Sequence, residues 1–408
     1  MPGTYAPRRR GRPPIPERRD QVVRAAARLF QRRGYPMVGM KDVAASLGIT
    51  ASALYRHCDS KNDLLHAAIT SGLDVVEEAL RKAGESLDDA LRAAAGAAVA
   101  REDLWILVRR ELRHLDPPLR KAIRQRLATI LGTLQERLAH ERPRLDPDAR
   151  EFAARSALAT LAVPSQFGYR FNPKVLETTM GDVAIDVANL DAGNDRPTPD
   201  VLPKKPFDGE LSRREELLGL AARLFAEHGY QEVSLIDIGS AAGMAGPSLY
   251  HHFSSKIDVL VGVLRRAAEW IELDLHSALT THDDPIRVLR QLVADHVDLA
   301  LNHWDLFRVY QNESIQLPPD EHSWITGSHK AFMERWIQLT RTARPDYTET
   351  QARVRVFSAL CIINDLAGSA HMRVHPAFRV RLEHTAFGCI GVTPTPHDQR
   401  SSGHSRSM

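Results

Sequence analysis

A chain of 408 residues is too long for one ordinary hydrophobic core and points to two to four domains. Hydrophobic residues at 43% and charged residues at 26% fit a globular protein, and no apolar run is long enough for a membrane span. The net charge is only +3, yet residues 1–20 carry +4 of it, leaving the remainder at −1, so the positive charge gathers at one end. Cys58, Cys361 and Cys389 lie far apart without metal-ligand spacing, and the basic N-terminus has no apolar signal region. A reducing cytoplasm, with no membrane partner, is the expectation.

Residues 1–17, rich in Arg, Pro and Gly, read as a disordered basic arm. Val22, Ala25, Ala26, Leu29 and Phe30 recur at helical spacing and predict a helix over 18–33, stopped by Gly34. A short helix is expected at 40–46, a turn at 47–50 and a second helix at 51–57. Ser60-Lys61-Asn62-Asp63 resembles a capping box and opens a long amphipathic helix past Leu80. Further helical patterns follow at 90–100, 102–115, 118–140, 148–169 and 175–190, separated by turn-formers such as Asp116-Pro117-Pro118. Strand alternation is not evident, so the fold class is all-α.

Residues 191–210 look like a linker, and after it the same pattern starts again. Ala26-Ala27-Arg28-Leu29-Phe30, Gly34-Tyr35, Leu54-Tyr55-Arg56-His57 and Lys61 recur without a gap 195 residues later. The second copy reads Ala221-Ala222-Arg223-Leu224-Phe225, Gly229-Tyr230, Leu249-Tyr250-His251-His252 and Lys256. A weaker echo continues downstream, where Trp105, Glu111, Leu115 and Pro117 match Phe307, Glu313, Leu317 and Pro319 at a spacing of 202. The whole chain therefore reads as one duplication. Its units are a first head at 18–66 with a helical domain at 67–190, then a second head at 211–261 with a helical domain at 262–392. A polar, disordered tail is expected at 393–408.

Each head has the layout of a helix-turn-helix, which implies double-stranded DNA as a partner. Small residues (Ala44 and Gly48, then Gly239 and Gly243) permit a steep crossing, and Val43, Leu47 and Leu54 anchor it, as Ile238, Ala242 and Leu249 do in the second copy. The candidate DNA-facing residues of the first head are Lys41, Thr50, Ser52, Tyr55, Arg56, His57 and Lys61. Those of the second are Ser234, Ser248, Tyr250, His251, His252 and Lys256. Tyr55 and His57 are expected near phosphate oxygens, and Lys61 adds its charge to a helix start. His57 and His252 serve equally well as packing or capping groups. In the arm, Arg10-Gly11-Arg12-Pro13 resembles an AT-hook core, in which Arg10 and Arg12 enter an A·T minor groove; a plain basic tail is the alternative.

These motifs resemble the N-terminal domain of the tetracycline-repressor (TetR/AcrR) family. The resemblance rests on A-A-R-L-F, G-Y, D-V-A, L-G-I-T, A-L-Y-R-H and S-K-N-D-L in the first copy. In the second it rests on A-A-R-L-F, G-Y, D-I-G, A-G-M, S-L-Y-H-H-F and S-S-K-I-D-V. It implies two tandem units, each with a helical ligand-binding and dimerisation domain, and a transcriptional repressor that leaves its operator when a small hydrophobic effector binds. Three departures stand out. Gly39 replaces the capping Ser or Thr that Ser234 retains, Cys58 replaces the phenylalanine kept at Phe253, and the second reading helix starts Ala245-Gly246-Pro247-Ser248, with few donors for base edges. The two heads are thus expected to be unequal, with the first carrying more of the recognition. The alternative is a helical sensor or interaction scaffold with one or both heads degenerate.

Aromatic residues cluster in both tails, including Trp105, Phe152, Phe167 and Tyr169, then Trp304, Phe307, Tyr310, Trp324, Phe332 and Trp336. At helical spacing such residues belong first to a core. The candidate ligand-binding residues are Trp105, Arg109, Glu111, Phe307, Tyr310, Gln311, Glu313 and Trp336, and the aromatic-rich second tail is favoured if one pocket survives. His371 and His375 lack a third ligand and read as ordinary histidines, so no metal or cofactor is expected. No nucleophile elbow, phosphate-cradling loop or carboxylate cluster argues for an enzyme. Two arrangements remain open: an internal pseudo-dimer within one chain, or a homodimer of tandem chains. In single-module relatives, reading helices of a two-fold pair sit roughly 34 Å apart.

Overall fold

The computed structural model describes residues 15–165, 171–190, 212–244 and 250–392, and all regular structure among them is helical. The first half contains α1 (Ile15–Arg33), α2 (Met40–Ser46), α3 (Ala51–Leu54), α4 (Lys61–Lys82), α5 (Leu87–Ala100), α6 (Leu104–Ile106), α7 (Pro117–Glu141), α8 (Pro147–Thr160) and α9 (Pro173–Asn189). The second contains α10 (Arg213–His228), α11 (Leu235–Ala241), α12 (Lys256–Thr281), α13 (Pro285–Asn302), α14 (Trp304–Glu313), α15 (Pro319–Ala343), α16 (Glu349–Ala367), α17 (Ala370–Arg373) and α18 (Phe378–Ile390). The 191–210 linker, Arg10, Arg12, the 393–408 tail, Phe167, Tyr169 and Ser248 fall outside the described residues.

Besides the short reading helix α3, three helices differ from the sequence expectation for local reasons. The first begins at Ile15, three residues inside the expected arm. The helix expected over 148–169 ends at Thr160 and tightens into a 3-10 turn at Val163–Ser165, because Pro164 disfavours α geometry in the residue before it. The helix expected over 102–115 breaks into α6, a π-helical turn at Leu107–Glu111 and a 3-10 turn at Leu112–His114. Its counterpart in the second half, α14, is regular α-helix.

In each half the long helix α4 or α12 starts inside the head and runs into the regulatory body. Its apolar stripe does the joining: Leu64, Leu65, Ala68, Ile69, Leu73, Val76 and Leu80 are all buried on α4. The bodies meet each other along α8 and α9 of the first half and α16 and α18 of the second, a four-helix contact closed within one polypeptide. Arg355 on α16 donates to Asp186 on α9 at 2.8 Å across this contact. The first head, both bodies and this contact share one continuous apolar core. The second head has a separate core, built around Phe225, Ile238, Phe253 and Leu260. No helix among the described residues is long and apolar enough to cross a membrane.

Candidate nucleic-acid interface and candidate effector cavity

The turn of the motif has the same backbone in both heads, while residues 245–249, where the second reading helix is expected to start, fall outside the described residues. After α2 and α11 the chain reverses at Gly48 and Gly243, each at φ +64°, a conformation that side chains rarely adopt. Ile49 then bonds back to the Ala44 carbonyl at 3.0 Å, and Met244 to the Gly239 carbonyl at 2.9 Å. Ser234 caps α11 by accepting from the Asp237 amide at 3.2 Å, whereas Gly39 has no side chain to offer and only its own N–H is held, by Asp42.

The reading helix α3 is short. Thr50 caps it by accepting from Ala53 N–H at 3.2 Å, and residues 55–57 continue as turn rather than as the helix expected to 57. Lys41, Thr50, Ser52, Tyr55 and Arg56 are all exposed, Tyr55 at 51%. His57 is half-buried, and Cys58 turns its thiol toward the Leu54 carbonyl, with burial pushing the thiol pKa up. In the second head Ser234, Tyr250 and His251 are exposed, with Tyr250 at 59%, and His252 is half-buried.

Lys61 and Lys256 take a different place from the one their position suggested. Lys61 lies 4.1 Å above the Tyr35 ring with its Nζ donating to the Pro36 carbonyl. Lys256 repeats this on Tyr230, donating to the Tyr230 carbonyl at 2.9 Å. Burial lowers the pKa of both ammonium groups. Both lysines therefore fasten the start of the long helix to the turn that follows the first helix of the head.

Charge separates the heads more sharply than motif. Residues 18–66 hold nine basic and four acidic side chains, whereas residues 211–261 hold four basic and six acidic, giving +5 against −2. Where Lys41 stands exposed in the first head, Ile236 stands 65% exposed in the second. Arg213 donates to the Ala242 carbonyl at 2.6 Å, and Arg214 donates to the His252 carbonyl while covering the Phe253 ring. With Lys256, three of the second head's four lysine and arginine side chains thus serve its own turns.

A family profile described as "Bacterial regulatory proteins, tetR family" matches residues 22–68 and 217–263, the two heads. The chain is 30% identical over 145 residues to the HTH-type transcriptional repressor KstR2 of Rhodococcus jostii, covering 71% of that protein and 35% of this chain. The chain belongs to the tetR family. It is also 31% identical over 129 residues to KstR2 of Mycobacterium tuberculosis, where it spans 64% of that protein's length. Over 107 residues it is 31% identical to the HTH-type transcriptional activator FasR of Mycolicibacterium smegmatis, spanning 49% of it. Two family profiles in one chain make this a tandem member of the tetR family.

The tetR-type bodies also differ between the halves. A cavity of about 500 Å³ opens in the second half between the separate core of the second head and the shared core. Leu264, Ala267, Leu306, Phe307, Ile325 and Phe332 form apolar walls, and Tyr310, Gln311, His296, Ser328, His329 and Asn364 supply polar atoms. His296 Nε2 meets Asn364 Oδ1 at 3.1 Å, and the His329 and Tyr310 rings stack 5.0 Å apart. Burial drops the His329 pKa to about 4 and raises that of Tyr310, so both are neutral at ordinary pH. Glu272 and Arg335 are exposed at the rim. Glu334, half-buried on the wall, is paired with Arg353 at 2.5 Å, and the other polar atoms inside are neutral hydrogen-bonding groups.

Of the sequence candidates, Phe307, Tyr310 and Gln311 line this cavity, and Trp336 is fully buried behind Phe332, their rings 5.7 Å apart. Glu313 lies outside the wall, buried and held by Arg113 of the first half at 2.6 Å. The equivalent space in the first half is filled. Gly72 takes the place of Ala267, and Leu104 packs so closely that a Cβ on Gly72 would lie 2.7 Å from its Cδ1. Trp105 instead lines a smaller cavity of about 350 Å³ where α7 and α8 face α16 and α17. Arg109 and Glu111 stand apart from it: Arg109 pairs with Asp365 of the second half at 2.7 Å, and Glu111 is buried against Arg110. His371 bonds Glu151 and Ser369 while His375 accepts from Ala377, and no cluster of metal-ligating residues occurs among the described residues. Sequence reasoning missed His296, His329 and Asn364, because a polar residue on a buried helix face carries no motif until the neighbouring helices are placed.

Proposed function

We propose that this chain is a sequence-specific DNA-binding transcriptional regulator, a repressor released by a small effector held in the second-half cavity. The observation that carries the reading is the first head: a helix-turn-helix that exposes Lys41, Thr50, Ser52, Tyr55 and Arg56 on a +5 unit. Arg56, Thr50 and Ser52 reach base edges in the major groove, Lys41 and Tyr55 bind phosphate, and Arg10 and Arg12 enter the adjoining minor groove. The second head, at −2 and with Ile236 exposed where the first head has Lys41, contributes little to DNA affinity. The chain works as an internal pseudo-dimer in the cytoplasm, and its operator is asymmetric, read on one side.

The repressor assignment is supported by the likeness to KstR2. The effector is an uncharged, mostly apolar molecule with a carbonyl or hydroxyl group, because Tyr310, Gln311, His296, His329 and Asn364 offer neutral partners. Near-complete release requires the effector to favour the off state by about 5.5 kcal/mol. Selection of binding sites from random duplex DNA, with the full chain at near-physiological salt, tests the reading. One enriched half-site beside an A·T run is the expected result. A symmetric palindrome would remove the single-head reading, and salt-sensitive binding without enrichment would leave a helical sensor or scaffold.

A further inference from the structure

The cavity lies in one half of the chain and the basic reading head in the other. Resting on the reading above, we propose that occupancy of the second-half cavity controls the first head across the internal contact, through Arg109, Arg110 and Arg113. These three arginines stand on or beside the π-helical turn Leu107–Glu111. The outer two reach the second half, and the middle one holds the first head.

Both outer contacts start at the cavity wall. Asn364 lines the cavity and meets His296, and the next residue, Asp365, accepts from Arg109 Nη2 at 2.7 Å. Tyr310 and Gln311 line the other side on α14, and at the end of that helix Glu313 accepts from Arg113 Nη1 at 2.6 Å. Glu313 is 1% exposed, so this pair is shielded from water and its geometry is held tightly. A ligand that displaces Asn364 or α14 therefore moves a carboxylate bonded to the first half.

The middle contact delivers the displacement. Arg110 is 6% exposed, and its Nη2 donates to the carbonyls of Phe30 and Gln31 at 2.5 and 2.8 Å, at the last turn of α1. The Phe30 carbonyl also accepts from the Gly34 N–H at 2.9 Å, and the Gln31 carbonyl lies in the last turn, where helical donors run out, so Arg110 clamps the end of the first helix of the head. A second touch runs the same way: Ile315 Cγ2 lies 3.8 Å from the Cβ position of Gly34, the residue that ends α1. A π-helical turn carries one extra residue per turn, which gives this strip an alternative register at low cost.

The device has one direction. At the spacing of 202, Arg109, Arg110 and Arg113 correspond to Gln311, Asn312 and Ile315, none of them charged. The second half therefore lacks an equivalent strip for returning the signal to the second head.

Hydrogen exchange on the full chain tests this without reference to DNA. Occupancy is supplied in two ways: by Nile red, an uncharged apolar dye whose fluorescence reports binding, and by the filling variant Ala268→Phe. In the native chain, either should change amide exchange over residues 30–48 at least threefold. Two paired replacements, Arg109→Leu with Asp365→Leu and Arg113→Gln with Glu313→Gln, leave no unpaired buried charge. Combined, they should cut that change below 1.5-fold while dye affinity stays within threefold. Unaltered exchange at 30–48 in both occupied forms, or a full response in the paired variant, would overturn the relay. Failure to select a DNA site would sink the regulator reading and leave the exchange result standing.

Discussion

Lys41 in the first head and Ile236 in the second occupy the same place, the second residue of the short helix that opens each motif, and both face water. The turns that follow coincide, at Gly48 and Gly243 with φ +64°. The sharpest difference lies in what the surface carries: nine basic and four acidic side chains in the first head, four and six in the second. A helix-turn-helix fold is kept by its core, and Phe225, Ile238 and Phe253 supply that in the second head as Phe30, Val43 and Leu54 do in the first. DNA affinity is kept by exposed charge and donors, which packing does not protect. The same split runs through the bodies, where one half keeps a cavity and the other fills it.

The largest effect should come from reversing charge in the first head. Lys41→Glu with Arg56→Glu is expected to weaken binding to a selected duplex by about 100-fold at near-physiological salt, by fluorescence anisotropy. Tyr250→Ala with His251→Glu in the second head should change it by less than about twofold. Equal losses from both pairs would make the heads equivalent and end the contrast.

Acid sharpens the contrast between the bodies. His329 has its pKa held down at about 4 by burial, while the corresponding first-half residue is Leu127. Above its unfolded value near 6.5 neither state binds a proton and stability is whole. As pH falls from there toward 4 the unfolded chain takes the proton first, removing about 3 kcal/mol. His114, stacked on Tyr35 and also near 4, adds a similar loss beside the first head. His329→Leu should therefore remove roughly half of the acid sensitivity of urea unfolding over that range.

Packing differs at matched positions. Gly72→Leu should destabilise by about 1–3 kcal/mol, since Leu104 already fills that space. Ala267→Leu, projecting into the cavity, should stay within about 0.5 kcal/mol of the native chain. Among the caps, Ser234→Ala should cost about 1 kcal/mol, and Gly39→Ser should return only a few tenths, both by thermal melting.

Much of this was legible beforehand, because the signals were local. Helix spacing, the cap at Ser60 and the glycine stops gave the all-α reading and most helix limits to within a few residues. The inequality of the heads was visible in Gly39 against Ser234. What resisted reading depends on distant contacts. Lys61 and Lys256 sit in the right place for phosphate by sequence, yet an aromatic ring and a carbonyl only 25 or 26 residues earlier claim them. Arg109 and Glu313 have the polarity of ligand-binding groups, but each finds its opposite charge across the internal contact, 256 and 200 residues away. No periodicity in a single chain encodes such pairings.

The four-helix contact of α8 and α9 with α16 and α18 has a further consequence for how such a regulator drifts over time. In a pair of identical chains every substitution appears twice, so a loss in one head is a loss in both. Here the partner is encoded separately and tethered, so a body can lose its cavity or a head its charge while the other copy keeps the role. The contact between the two bodies forms within one chain, so that contact does not weaken on dilution. A melting midpoint independent of protein concentration is the plain signature of that arrangement.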